Sequence, residues 1–205
     1  WQAIYEELKD LGFVVITVAI ERDPEDAREW IEAAQPTHPS LIDTDHRLAE
    51  LYNMVNVPTV LWIDEQGRIV RPNDVAFTSE AGGRYANVST EAQMTLLRQW
   101  VRGELPATPP AELRALQQLP TDDDQRARAE FGLGNWLWRN GRQEAAARAF
   151  ERAGDLAPHD FMIRRGTMPM LGKDPFGEDF RAMVKDWRDR GHAYYNPLPV
   201  DAPED

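Results

Sequence analysis

The chain has 205 residues, with 35 Asp and Glu against 23 Lys and Arg, a formal charge of −12, four His and no Cys. So acidic a surface repels phosphate and argues against nucleic acid or an anionic membrane as partner, while the absence of cysteine excludes a disulfide framework, a thiolate zinc site, an iron–sulfur cluster or a thiol nucleophile within these residues. At 42% hydrophobic and 28% charged the composition is that of a globular protein of one large or two small domains, and the longest apolar run, 13–20, is far below the roughly 20 residues that span a bilayer.

Trp1, Ile4, Tyr5, Leu8 and Leu11 follow helical i, i+3, i+4, i+7 spacing, and Gly12 supplies the C-terminal cap. The helix is already under way at Trp1, so residues upstream are expected. Residues 13–20 form a β-branched apolar run, which predicts a strand of a parallel sheet covered on both faces. Asp23 and Pro24 open a helix whose buried stripe is Ala27, Trp30, Ile31 and Ala34. An extended piece at 40–42 leads to Thr44 or Asp45 as the cap of a helix carrying Leu48, Leu51, Tyr52 and Val55. Residues 59–63 and 68–70 read as a hairpin around Glu65, Gln66 and Gly67, with Pro72 ending the return strand. Residues 73–88 read as a loop. Thr90 and Gln93 form a capping box for a helix through Met94, Leu97 and Val101, closed by Gly103. This alternation predicts an α/β layered domain.

Residues 104–124 hold Pro106, Pro109, Pro110 and Pro120 with a short helix around Leu113 and Leu116, the composition of a linker. Nine basic residues face 17 acidic ones in 1–103, and 14 face 18 thereafter, so the helical second half is the more basic part.

Residues 5–16, 41–45, 48–52 and above all 57–69 (VPTVLWIDEQGRI) resemble the thioredoxin-like superfamily, closest to the TlpA/ResA-type and AhpC/TSA redoxins. The resemblance implies a three-layer α/β/α fold, a cis peptide before Pro58, and a backbone at Val57 that pairs with an extended substrate, making Val57, Pro58 and Thr59 the candidate substrate-binding residues. It also implies that a Cys-x-x-Cys motif and the central strand before it lie upstream of Trp1, between the equivalents of 13–20 and 59–63. Thiol–disulfide exchange needs a low-pKa thiolate at a helix N-terminus. Either the cysteines precede Trp1, or the domain has lost redox chemistry and only binds.

Leu133, Gly134, Leu137, Gly141, Ala146, Phe150, Ala153 and Pro158 resemble one tetratricopeptide repeat over residues 127–160, with Glu130 where the repeat often has Trp. A lone repeat implies structural packing or homodimerisation ahead of peptide binding. Its uncovered face requires Leu113 and Leu116 before it and Phe180, Met183, Val184 and Trp187 after it.

Other polar candidates have plainer readings. Asp43, Asp45 and His46, like residues 122–124, sit where helices start, so capping outweighs metal binding. His38, His159 and His192 lack a second ligand at metal spacing; Gly132 and Gly134 lie inside a helix; Ser40, Ser79 and Ser89 lack a nucleophile elbow. From Phe161 the chain concentrates Met, Arg and aromatic residues, including Met162, Phe176, Tyr194 and Tyr195, types enriched at interfaces. An extended segment docking back on its own chain is favoured; the competing reading is a partner groove with Arg164 and Arg165 receiving a carboxylate.

The expected architecture is therefore a thioredoxin-like α/β/α domain (1–103), a linker (104–124), a tetratricopeptide-like all-α domain (125–190) and an extended tail (191–205). The expected function is that of a thiol–disulfide oxidoreductase-like redoxin without its cysteines, or else of a non-catalytic interaction scaffold. A protein or peptide partner is expected, with no metal, no cofactor, no nucleic acid and no membrane span. The chain reads as soluble, with the cytoplasm slightly favoured.

Overall fold

The computed structural model describes residues 1–199. They fall into two compact units. The first is Trp1–Leu48 with Val60–Leu116 and residues 197–199; the second is Ala49–Thr59 with Gln117–Asn196. Residues 49–59, assigned from sequence to the 1–103 domain, thus group with the helical part of the chain. Residues 200–205 of the expected tail lie outside the described residues.

In the first unit, α1 (Gln2–Leu8) continues into a short 3₁₀ turn that Gly12 closes at φ 80°. A parallel pair follows, β1 (Thr17–Ile20) with β2 (Ser40–Asp43), in the register Thr17 to Ser40, and between them runs α2 (Pro24–Ala34), capped by Asp23. After α3 (Arg47–Leu51), β3 (Val60–Ile63) and β4 (Ile69–Asp74) form an antiparallel hairpin. Asp64 builds its turn by accepting from the Gln66 and Arg68 amides, with Gly67 at φ 74°. Then come α4 (Glu80–Ala86), α5 (Thr90–Val101) and α6 (Pro110–Leu116). The core gathers Ile4 and Leu8 of α1, Val15, and Leu97 of α5, with Phe13, Trp62, Met94 and Trp100 against it. The Trp62 and Trp100 rings stack 4.9 Å apart, and Arg98 holds Glu7 through a two-pronged ion pair, tying α5 to α1.

Several elements differ from expectation, each for a local reason. The strand expected over 13–20 is regular only at Thr17–Ile20 and is half-buried, and Val14 and Ile16 are exposed. Its one paired edge belongs to β2. Among the described residues β1 and β3 sit in separate two-stranded sheets and do not pair. A sheet this narrow covers little of a helix, so of the expected α2 stripe only Ala27 is buried and Trp30 is 76% exposed. Asp43, not Thr44 or Asp45, caps α3, its carboxylate accepting from the Asp45, Arg47 and Leu48 amides. The 73–88 loop contains α4, which Ser79 caps. Ser89 rather than Thr90 caps α5, and Gln93 is buried and donates to the Val75 carbonyl instead of closing a capping box. The return strand runs through Pro72 to Asp74, because register shifts along the hairpin accommodate a residue with no amide proton.

The second unit is built on a helical hairpin, α7 (Asp122–Arg139) and α8 (Gln143–Leu156), turned at Gly141 with φ 72°. Thr121 and Asp124 exchange hydrogen bonds as a capping box. Ala127, Phe131, Ala146, Phe150 and Ala153 form the core, joined by Ile163 of α9 (Phe161–Gly166) and by Met170. Among the positions that suggested a repeat, Gly134, Ala146, Phe150 and Ala153 are in this interface, whereas Leu133 is 45% exposed. Beyond the helix expected around Phe180 to Trp187, residues 161–171 are helical rather than extended, and the described chain after Asp189 is irregular. Asp160 caps α9, a 3₁₀ turn follows at Pro169–Leu171, and α10 (Glu178–Asp189) packs Val184 against Phe161 and Tyr194. A Cβ placed on Gly134 would overlap the Phe150 ring. Gly134→Ala should therefore cost about 1–3 kcal/mol, against the usual gain from replacing a helical glycine. Urea unfolding at equal protein concentration checks the sign.

Candidate functional site

Residues 54–59 leave α3 and lead into β3. Asn53 turns the chain at φ 49°, and the Met54 amide donates to the Ala49 carbonyl, burying the Met54 side chain. From there the backbone is held residue by residue. Arg128 on α7 donates to the Met54 carbonyl at 3.0 Å. The Val55 carbonyl receives the Phe161 amide at 2.7 Å and the Met162 amide at 3.2 Å. Those amides are the first two of α9, donors that have no partner inside their own helix. The buried Asn56 carboxamide donates to the Tyr194 carbonyl and accepts from the Val57 amide, both at 2.9 Å, while the Asn56 carbonyl accepts from the Thr59 hydroxyl at 2.6 Å. The Val57 carbonyl accepts from the Tyr195 hydroxyl at 2.9 Å. The Val57–Pro58 peptide is cis.

Behind the loop lies a charged pair. Arg128 bonds Asp160 at 3.0 Å with both side chains nearly covered, and Asp160 also accepts from the Ile163 amide. Burial pushes the Asp160 carboxyl above its ordinary value, and Arg128 pulls it part of the way back. One carboxylate thus fixes the start of α9 and the arginine that grips Met54. His159 approaches Asp124 at 3.3 Å on the same side of α7.

The structure brings Val57, Pro58 and Thr59 together on one short loop and gives Arg164 and Arg165 other employment. Arg164 donates to the Pro158 carbonyl at 2.8 Å and lies over Phe161; its burial lowers its pKa from the usual arginine value. Arg165 donates to the Pro175 carbonyl at 3.0 Å with its guanidinium over Phe176 and Phe180. Sequence reasoning missed Asn56, Arg128 and Asp160. Asn56 and Arg128 work through partners 138 and 32 residues away, which no local pattern marks, whereas Asp160 stands where a helix cap is expected, three residues before Ile163. Tyr194 and Tyr195 did carry a signal, as aromatics in a segment of interface-type composition.

A second feature is an open groove of about 490 Å³ on the α7–α8 hairpin, lined by Arg126, Glu130, Leu133, Arg152 and Leu156. Arg152 bonds Glu130 across it at 2.7 Å, and that hydrogen bond holds the Glu130 carboxyl below its ordinary value. Among the described residues no group of three or more His, Cys, Asp or Glu is placed to hold a metal ion, and no helix is long and apolar enough to cross a membrane. The main-chain groups of the loop from Met54 to Val57 are largely bonded within the second unit.

Residues 1–71 match the model of the AhpC/TSA family, a span that ends inside β4 and takes in the 54–59 loop. This supports the thioredoxin-like superfamily for that part of the chain. No curated protein and no solved structure matches the chain.

Two outcomes follow. Arg128→Met strands the Asp160 charge and releases the Met54 carbonyl, and should cost about 3–5 kcal/mol in chemical denaturation, part of which Asp160→Asn restores in the double variant. Glu130 has a folded pKa below its unfolded one, so its contribution is present at neutral pH and lost as pH falls through the folded value. Melting curves of Glu130→Gln should lie below those of the parent at neutral pH and converge with them in acid.

Proposed function

We propose that this chain is a redoxin-family, thiol–disulfide oxidoreductase-like protein whose reacting thiols are not among these 205 residues, and that its own contribution is to receive a protein or peptide partner at Val57, Pro58 and Thr59. The observation that carries this is the AhpC/TSA match over residues 1–71, which includes that loop. The backbone around Val57 is the part of the loop that an extended chain can address, and edge pairing of this kind draws affinity from main-chain hydrogen bonds. The TlpA/ResA-like affiliation and the tetratricopeptide-like reading of α7 and α8 belong to the same proposal.

The second reading, a non-catalytic scaffold that only binds protein, is favoured by the groove at Glu130 and Arg152. Interaction through the helical part, homodimerisation included, falls under it, as does a carboxylate partner for Arg164 and Arg165.

A titration of the isotope-labelled chain with S-alkylated insulin B chain separates the two. Shifts centred on the Val57 and Thr59 amides support the loop; shifts confined to α7 and α8 favour the scaffold. An insulin-reduction assay of the 205-residue chain should give no turnover above buffer, since it holds no thiol.

A further inference from the structure

Both backbone groups of Val57 are already engaged within the second unit. Its amide donates to the Asn56 side-chain oxygen, and the nitrogen of that carboxamide is held by the Tyr194 carbonyl; its carbonyl accepts from the Tyr195 hydroxyl. Two successive residues of the tail therefore occupy, one directly and one through Asn56, the donor and the acceptor that an extended partner would use. We propose that Tyr194 and Tyr195 form an intramolecular strap over the Val57 edge, which an incoming peptide displaces. The proposal rests on the reading of residues 57–59 as a peptide-binding edge.

The strap is fastened unequally. Tyr194 is 5% exposed, its ring edge-on to Phe161 at 4.6 Å and to Phe180 at 6.0 Å, and it belongs to the cluster with Val184. Tyr195 lies further out, with its ring against Tyr194 at 4.6 Å and its hydroxyl on Val57. Release of the Val57 carbonyl thus calls on the outer residue to swing away while the inner one stays seated. A single neutral hydrogen bond shifts an equilibrium by a factor on the order of 2 to 10, so the strap screens weak ligands and yields to an extended chain that supplies several such bonds. Being tethered, it competes at an effective concentration that on short linkers is of millimolar order.

The probe is the tail's own sequence, acetyl-Ala-Tyr-Tyr-Asn-Pro-amide (residues 193–197), fluorescently labelled and titrated into the full chain and into Tyr195→Phe. That variant keeps the ring against Tyr194 and removes only the hydroxyl. Tyr195→Phe should bind the probe 2- to 10-fold more tightly than the parent. In the parent, saturating probe should shift the Tyr195 ring resonances, whose hydroxyl leaves the Val57 carbonyl, and leave those of the buried Tyr194 ring in place, a readout that holds even if the variant folds poorly. Equal affinities, with probe bound and the Tyr195 ring resonances unmoved, overturn the strap and leave the binding edge standing. Absence of binding to either protein overturns both.

Discussion

The hold of α9 and α7 on the Met54 and Val55 carbonyls is the constraint on which the path of the 54–59 loop depends. A segment leaving a helix toward a strand has backbone groups to satisfy, and buried ones are almost always paired. Here the partners come from the start of α9 and from Arg128, and both are fixed by Asp160, which caps the helix and neutralises the arginine. Moving that carboxylate would disturb two grips at once. The helices of the second unit therefore do more than pack on one another: they set the path of the 54–57 backbone.

The first unit carries the opposite lesson. Its core is well formed where α1 and α5 close over Trp62 and Val15, yet its strands are paired in twos and only half-covered. Val14 and Ile16, apolar and exposed, belong to a run whose composition fits burial on both faces. Burial in a layered fold is collective: a strand's faces are covered when the sheet is wide enough for helices to span it. The exposed Trp30 on α2 expresses the same shortage of neighbouring surface.

What could be read from sequence was whatever is fixed within a few residues or by a specific motif. The Asp23–Pro24 helix start, the Gly67 hairpin turn, the α6 helix and the Gly134–Phe150 contact all belong to that class. The helix caps were misplaced by one or two positions because Ser, Thr and Asp compete for the same amides, and the Asp43 carboxylate accepts from three of them. Within the loop, Val57, Pro58 and Thr59 came from a motif. The residues that hold them did not, because Arg128, Asp160 and Tyr195 are ordinary helix and tail residues until the fold brings them to the backbone.

The span of those contacts also bears on how the molecule is made. Asn56 finds Tyr194, and Val57 finds Tyr195, across 138 residues of chain. At ribosomal elongation of roughly 5–20 residues per second, the loop exists for about 7 to 28 seconds before its last partner is synthesised. During that interval its backbone is open to whatever else binds exposed chain. Closing so long a loop carries an entropic cost that local helix formation does not, so the α7–α8 hairpin has every kinetic advantage in folding first. The loop is thus a late-maturing part of a chain whose other contacts are largely local, and completion of the C-terminal aromatic cluster is the event that finishes it.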